Sequence, residues 1–239
     1  MKKITAFLLI SILAVLTACS VNININNKPT EATQASSPTQ EETSAQSSAG
    51  KLEDYVKTAK EIKSTSPGDG KTITLRTPEV LIDSDDAKEF NREIDNKFGS
   101  NLNSNSDFNP IYQLDYIASL NGAILSVAVH GAFEGGNTYG LCGSFDINSG
   151  KKLTNADLCT AAGRSYTEVM EKLKENLERY YNVKYNMLPG NEREKEKTLA
   201  DDNLSQSELY LEDNNKLVAM VHIYAAVGGG HWMEAIETD

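Results

Sequence analysis

The sequence predicts an α+β fold: an antiparallel sheet, made of a meander and a C-terminal hairpin, packed with two main helices. Three observations carry this. Alternating strand-like runs at Ile111 to Leu120, Ala123 to Ala132 and Tyr139 to Ile147 follow one another with short turns between them. Two segments, Asp85 to Phe98 and Ser165 to about Asn182, place apolar residues at helical spacing behind capping residues. Two further strands, Glu208 to Leu211 and Lys216 to Ala225, close the chain with few parallel crossovers.

The elements follow in order. Lys51 to Ser64 carries Leu52, Tyr55, Val56, Ala59 and Ile62 at helical spacing and predicts a short helix. Ser66-Pro67-Gly68-Asp69-Gly70 breaks the chain. Lys71 to Leu75 alternates and continues to Val80–Ile82 past Pro78, which implies an edge strand or a bulge, since proline has no N–H for a ladder. Ser84 is placed to cap the next helix, whose buried stripe is Ala87, Phe90, Ile94 and Phe98, and Gly99 ends it. Asn101 to Asn109 is a polar loop. Asn121-Gly122 is a two-residue hairpin turn, and Glu134-Gly135-Gly136-Asn137 joins the second pair of meander strands.

After the turn Asn148-Ser149-Gly150, Thr154 with Asp157 has capping-box spacing, as does Ser165 with Glu168. Tyr166, Val169, Met170, Leu173, Leu177 and Tyr180 form the apolar face of the second helix. Asn191 to Asp202 is charged, with little periodicity, and reads as a solvated helix or loop. Glu212-Asp213-Asn214-Asn215 suits a hairpin turn. Gly228-Gly229-Gly230 leads to a short last strand from His231 to Ile236.

The N-terminus has a separate character. Lys2 and Lys3 precede an apolar run, Ile4 to Leu16, of 13 residues, short of the roughly 20 needed to span a bilayer. This reads as a signal peptide over residues 1–18. Leu16-Thr17-Ala18-Cys19 resembles the lipobox of bacterial lipoproteins, which implies cleavage before Cys19 and its lipidation. The expected location is therefore the extracytoplasmic face of the cell membrane, with the membrane as a partner through the lipid anchor. Residues 19–50, rich in Asn, Thr, Gln, Ser and Ala, form a tether without enough apolar side chains to order a core. Residues 51–239 form the extracytoplasmic domain, with candidate halves 71–105 and 106–239.

From Lys51 onward there are 20 Lys or Arg and 31 Asp or Glu. Nucleic acid is excluded as a partner, because phosphate binding requires clustered positive charge. A basic protein or a cation fits that charge better. The alternative is that acidity serves solubility alone.

Cys142 and Cys159 are an even pair in an oxidising compartment. A disulfide between them would add roughly 3 kcal/mol by loop-closure entropy, and two buried free thiols are the alternative. His130, His222 and His231 lack the i,i+4 spacing of a metal-binding helix. No Gly-x-Ser-x-Gly elbow, phosphate loop or dinucleotide fingerprint is present, so no catalytic residue, metal or cofactor is assigned. Three residues stand as ligand-binding candidates: Glu134 among glycines that permit close approach, and His231 with Trp232, the only tryptophan. Each has a structural alternative, a hairpin with a bulge for Glu134 and a core position for Trp232.

Phe145-Asp146-Ile147-Asn148-Ser149-Gly150-Lys151-Lys152-Leu153-Thr154-Asn155-Ala156-Asp157-Leu158 resembles a signature of a bacterial envelope domain family of unknown function, in which a strand ends in D-x-x-[ST]-G-K-x-L-[ST]-x-x-D-L. Leu209-Tyr210-Leu211 and Lys216 to Ala225 resemble its closing hairpin. Residues 73–98, with Asn91-Arg92-Glu93-Ile94, resemble the domain that precedes it. The family occurs in lysozyme-sensing anti-sigma factors and ahead of some peptidoglycan deacetylase domains. The resemblance implies a non-enzymatic binding or sensory module for a wall-related ligand, such as a lysozyme-type muramidase or peptidoglycan. The chain departs from both settings in carrying a lipid anchor, with neither a sigma-binding segment nor deacetylase metal motifs. The alternatives are a wall-glycan enzyme using Asp115, Glu134 and Asp146, and a structural envelope lipoprotein.

Overall fold

A computed structural model describes residues 50–65, 70–99, 102, 111–185, 190–225 and 232–239. These fall within the unit Ser47–Asp239. The signal peptide, the tether up to residue 49, and with them Cys19, lie outside the described residues, as does His231.

The first element corrects the sequence reading. Val56–Thr65 is not a helix but strand β1, paired antiparallel with β2, Thr72–Val80, from Val56↔Val80 to Thr65↔Thr72. Its apolar spacing is too sparse to decide between periods, and Val56, Thr58, Ile62 and Thr65 are β-branched, which suits a pleated surface. The register shifts between Thr58 and Lys60, opposite Thr77 and Pro78. Pro78 thus sits beside a bulge, as its missing N–H requires.

Helix α1, Asp85–Ile94, starts where Ser84 Oγ accepts from Ala87 N at 3.2 Å. It continues as a π-helical turn over Asp95–Gly99. Asn91 clasps the end of β2, accepting from Val80 N and donating to Val80 O, both at 2.8 Å. Ala87, Phe90, Ile94 and Phe98 are buried against the meander: β3 (Ile111–Asn121), β4 (Ile124–Phe133) and β5 (Thr138–Asp146), in the order β3-β4-β5. Leu125, Val127, Val129 and Phe145 meet that helix, and Phe90 lies edge-on to Phe145 at 5.5 Å.

A second three-stranded sheet is built from β6 (Glu208–Glu212), β7 (Lys216–Ile223) and β8 (Trp232–Glu237). Its outer face, with Leu209, Leu211, Leu217, Ala219, Val221 and Ile223, packs on helices α2 (Asn155–Ala161) and α3 (Tyr166–Tyr185). Val169, Leu173, Leu177 and Tyr181 are the matching face of α3, each contributing on the order of 1.5–3 kcal/mol by burial.

Residues 191–205 form two further helices, α4 (Asn191–Thr198) and α5 (Asp201–Ser205). Their anchors are polar, so no apolar period marks them. Thr198 Oγ1 accepts from Tyr224 N at 2.9 Å, and Asn203 Nδ2 donates to Thr198 O and His222 O. The α+β class and the antiparallel pairing are as predicted, with eight strands in three sheets and five helices among the described residues. The meander and the closing hairpin, however, are separate sheets stacked face to face.

Between these sheets the side chains are small or polar: Ser119, Ser126, Ala128, Cys142 and Ser144 from the meander, against Tyr210, Val218 and Met220. Strand β6 crosses the meander transversely. The Cys142 thiol of β5 donates to Glu208 O at 3.5 Å, Ser126 Oγ of β4 accepts from Leu211 N at 3.1 Å, and Ser119 Oγ of β3 donates to Leu211 O. Asn155 of α2 closes the same edge, donating to Ser207 O and accepting from Leu209 N. The outward-facing Leu209 and Leu211 amides of β6, with the Ser207 and Leu211 carbonyls, are thereby satisfied by side chains instead of a neighbouring strand.

Candidate functional site: a groove between the two sheets

Away from that seam the sheets part and leave an open groove of about 370 Å³. Its walls come from Gln113, Asp115, Tyr116 and Ile117 of β3, Ala128 and His130 of β4, Tyr210 of β6, Met220 of β7, and Glu234 and Ala235 of β8. The pleat places Gln113, Asp115 and Ile117 on the same meander face as Ala128 and His130, through the pairs Asp115↔His130 and Ile117↔Ala128. Ile117 remains 55% exposed there.

The groove's charges are held in position. Arg76 of β2 grips Asp115 with two hydrogen bonds, Nε to Oδ1 at 3.0 Å and Nη2 to Oδ2 at 2.7 Å, and Tyr116 N donates to the same Oδ1 at 2.8 Å. The bond to Asp115, followed by its charge, raises the pKa of Arg76 further above its ordinary value. Glu234 accepts from Lys184 of α3 at 2.8 Å. Burial works to lower the Lys184 pKa, but bonds to Glu234 and Tyr180 outweigh it and the net shift is upward. Burial, then Glu212, pushes the Tyr210 phenol up, so it stays protonated. Glu234, opposite Val221, turns its carboxylate to the helix side, so the groove face carries one carboxylate, Asp115, and one imidazole, His130, with no Lys or Arg among the lining residues. Such a surface can bind and orient a ligand. Proton transfer is a poor fit for Asp115, whose two oxygens already accept three hydrogen bonds.

The other candidate positions fall as follows. Trp232 is half-buried and packs against the helix-covered core of the second sheet, its structural alternative. Glu134 opens the short 3-10 turn Glu134–Gly136 linking β4 to β5, where Gly135 and Gly136 take φ of 82° and 80°. Cys142 and Cys159 are free thiols. Cys142 lies between the sheets beside Tyr210 and Met220, and Cys159 lies on the helix side with Leu158. Burial raises the pKa of both, which favours the thiol form. Among the described residues no group of three His, Cys, Asp or Glu is arranged to hold a metal.

The Asp146–Leu158 run proves to be structural. Asp146 Oδ1 accepts from Ser149 N at 2.7 Å, Asn148 N at 2.9 Å and Ser149 Oγ at 3.0 Å. These bonds, the Ser149 amide foremost, hold the carboxyl below its ordinary pKa. Gly150 takes φ +72° and donates its N–H to Asp146 O at 2.8 Å. Lys152 N donates to Asp86 Oδ2 at 2.7 Å, tying the run to α1. Thr154 and Asp157 form the reciprocal capping box of α2, and Leu158 is buried behind it.

Sequence reasoning named Asp115 only for the enzyme alternative, gave His130 no ligand role, and did not single out Gln113, Tyr116, Ile117, Tyr210, Met220 or Ala235; neither Glu134 nor Trp232 is among the described residues that line the groove. The available signal was the β3 face Gln113-Asp115-Ile117, where an exposed isoleucine alternates with polar residues. Scanned against models of known protein families, the chain matches none, and no curated protein matches it.

Proposed function

We propose that this chain is a lipid-anchored extracytoplasmic module that binds a basic protein of the lysozyme-type muramidase class, without chemistry of its own. The observation that carries the reading is the groove lining, with the oriented Asp115 carboxylate and no Lys or Arg in it, on a domain of strong negative charge. The lipobox-like segment ending at Cys19 supplies the anchor, and the resemblance of residues 145–158 to the envelope domain family supplies the wall-facing context.

The wall-glycan enzyme reading loses support at two of its carboxylates. Asp115 is tied to Arg76, and Asp146 holds a turn.

The test is calorimetric titration of hen egg-white lysozyme into the chain lacking residues 1–18 and carrying Cys19→Ser, at low and high salt. Saturable binding that survives high salt supports a specific interface. Binding that vanishes with salt reduces the attraction to charge alone and refutes the proposal; peptidoglycan pull-down is then the next assay.

A further inference from the structure

The backbone of β8 alternates. Trp232, Glu234 and Ile236 sit opposite β7 residues Ile223, Val221 and Ala219, and Thr238 N donates to Leu217 O at 3.1 Å. Even-numbered residues therefore turn their peptide groups toward β7, and odd-numbered ones turn theirs to the free edge. The side chains at that edge agree. Thr138 Oγ1 donates to Met233 O and accepts from Met233 N, both at 3.0 Å, and Asn176 Nδ2 donates to Glu237 O at 2.8 Å. The edge is thus sealed at Met233 and at the Glu237 carbonyl. Between them, the N–H and C=O of Ala235 and the N–H of Glu237 meet no partner among the described residues. Ala235 is exposed and borders the groove.

We infer that this gap is a strand-addition site: a basic, extended peptide segment pairs with β8 at Ala235, and the residue opposite Ala235 places a Lys or Arg side chain in the groove. The inference rests on the proposed binding function and names how the partner is held. Three features select this occupant. An unpaired edge N–H and C=O on one residue are matched by a peptide backbone. Cross-strand neighbours share a face, and Ala235 shares its face with its partner Met220, the face turned to the meander and Asp115. Alanine leaves room for a long side chain opposite it, and the groove offers the Asp115 carboxylate, shared with Arg76 of β2, on a domain of net negative charge.

The experiment uses the same Cys19→Ser chain with three probes: a seven-residue peptide alternating Val and Lys, that peptide N-methylated at alternate residues, and hen egg-white lysozyme. Amide exchange is followed by NMR. The unmodified peptide should bind saturably and slow exchange at Ala235 and Glu237 by at least about tenfold. N-methylation should weaken binding by about tenfold or more, because it keeps the charge and removes the ladder. Ala235→Pro, tolerated on an edge strand, should weaken the unmodified peptide similarly. Absence of binding, equal binding of both peptides, or unchanged exchange at Ala235 overturns the inference. If the peptide fails and lysozyme still binds through high salt, strand addition falls and the binding function stands. If the peptide protects Ala235 and lysozyme does not bind, the strand site stands and the lysozyme assignment falls.

Discussion

Ser126 links the two sheets, and replacing it with alanine tests how the stack is held. Ser126 is 1% exposed and Leu211, whose amide it accepts, is also 1% exposed. Its hydroxyl further pairs with Ser144 Oγ at 2.7 Å. Ser126→Ala leaves the Leu211 N–H buried without an acceptor, which costs about 1–3 kcal/mol. Ser144→Ala removes the hydroxyl pair but keeps the acceptor for Leu211, so its cost is about 0.5–1.5 kcal/mol. With a urea slope of roughly 2 kcal/mol per molar, Ser126→Ala should lower the unfolding midpoint by about 0.5–1.5 M, and Ser144→Ala by less. Urea unfolding followed by circular dichroism measures both. A Ser126→Ala midpoint within about 0.15 M of the parent, or the reverse order of the two variants, would refute a stack held by that bond.

Two other outcomes follow from the Asp146 turn. Gly150→Ala forces φ +72° on a side-chain-bearing residue and sets its Cβ 2.6 Å from Ser84 Cβ, the cap of α1. A loss of about 2–4 kcal/mol is expected, read as a lowered melting temperature. Asp146, with its pKa lowered in the fold, stabilises above its unfolded value of about 3.9, and that contribution disappears as pH falls through the folded value. Asp146→Asn should therefore flatten the dependence of the unfolding midpoint on pH below about 4, compared with the parent chain. An unchanged acid slope contradicts the role of the Ser149 amide.

Where local chemistry decides structure, the sequence was a good guide. The meander was legible because a turn signal, Asn121-Gly122, separates its first two runs, although the pair Asn121↔Ile124 makes Gly122-Ala123 the two-residue turn, one position on, with Gly122 at φ 61°; both long helices carry their own caps. The Asp146–Leu158 run was legible for the same reason, since Asp146, Ser149 and Gly150 make its turn, Thr154 and Asp157 its cap, and Leu153 and Leu158 pack on the core. Two segments misled for opposite reasons. Residues 51–64 show sparse apolar spacing that fits a helix, yet pairing with β2 makes a strand. Residues 191–205 show no period because Asn191, Thr198 and Asn203 are buried polar anchors. The groove was the least legible feature. Its residues come from five strands, and strand alternation gives the face of each without saying which sheet will lie over it. That placement depends on contacts such as Ser119 with Leu211, 92 residues apart.

The second sheet is closed along β6 and open along β8 only at the gap around Ala235. Every partner that seals β6 is a side chain rooted elsewhere in the fold, so no strand can be added there without displacing Ser126 and Asn155. Growth is confined to β8. A sheet with a single live edge can pair once, and the assembly then ends: two copies meeting edge to edge leave nothing exposed to recruit a third. Such one-sidedness limits self-association through this sheet to pairs and keeps it from propagating into fibres.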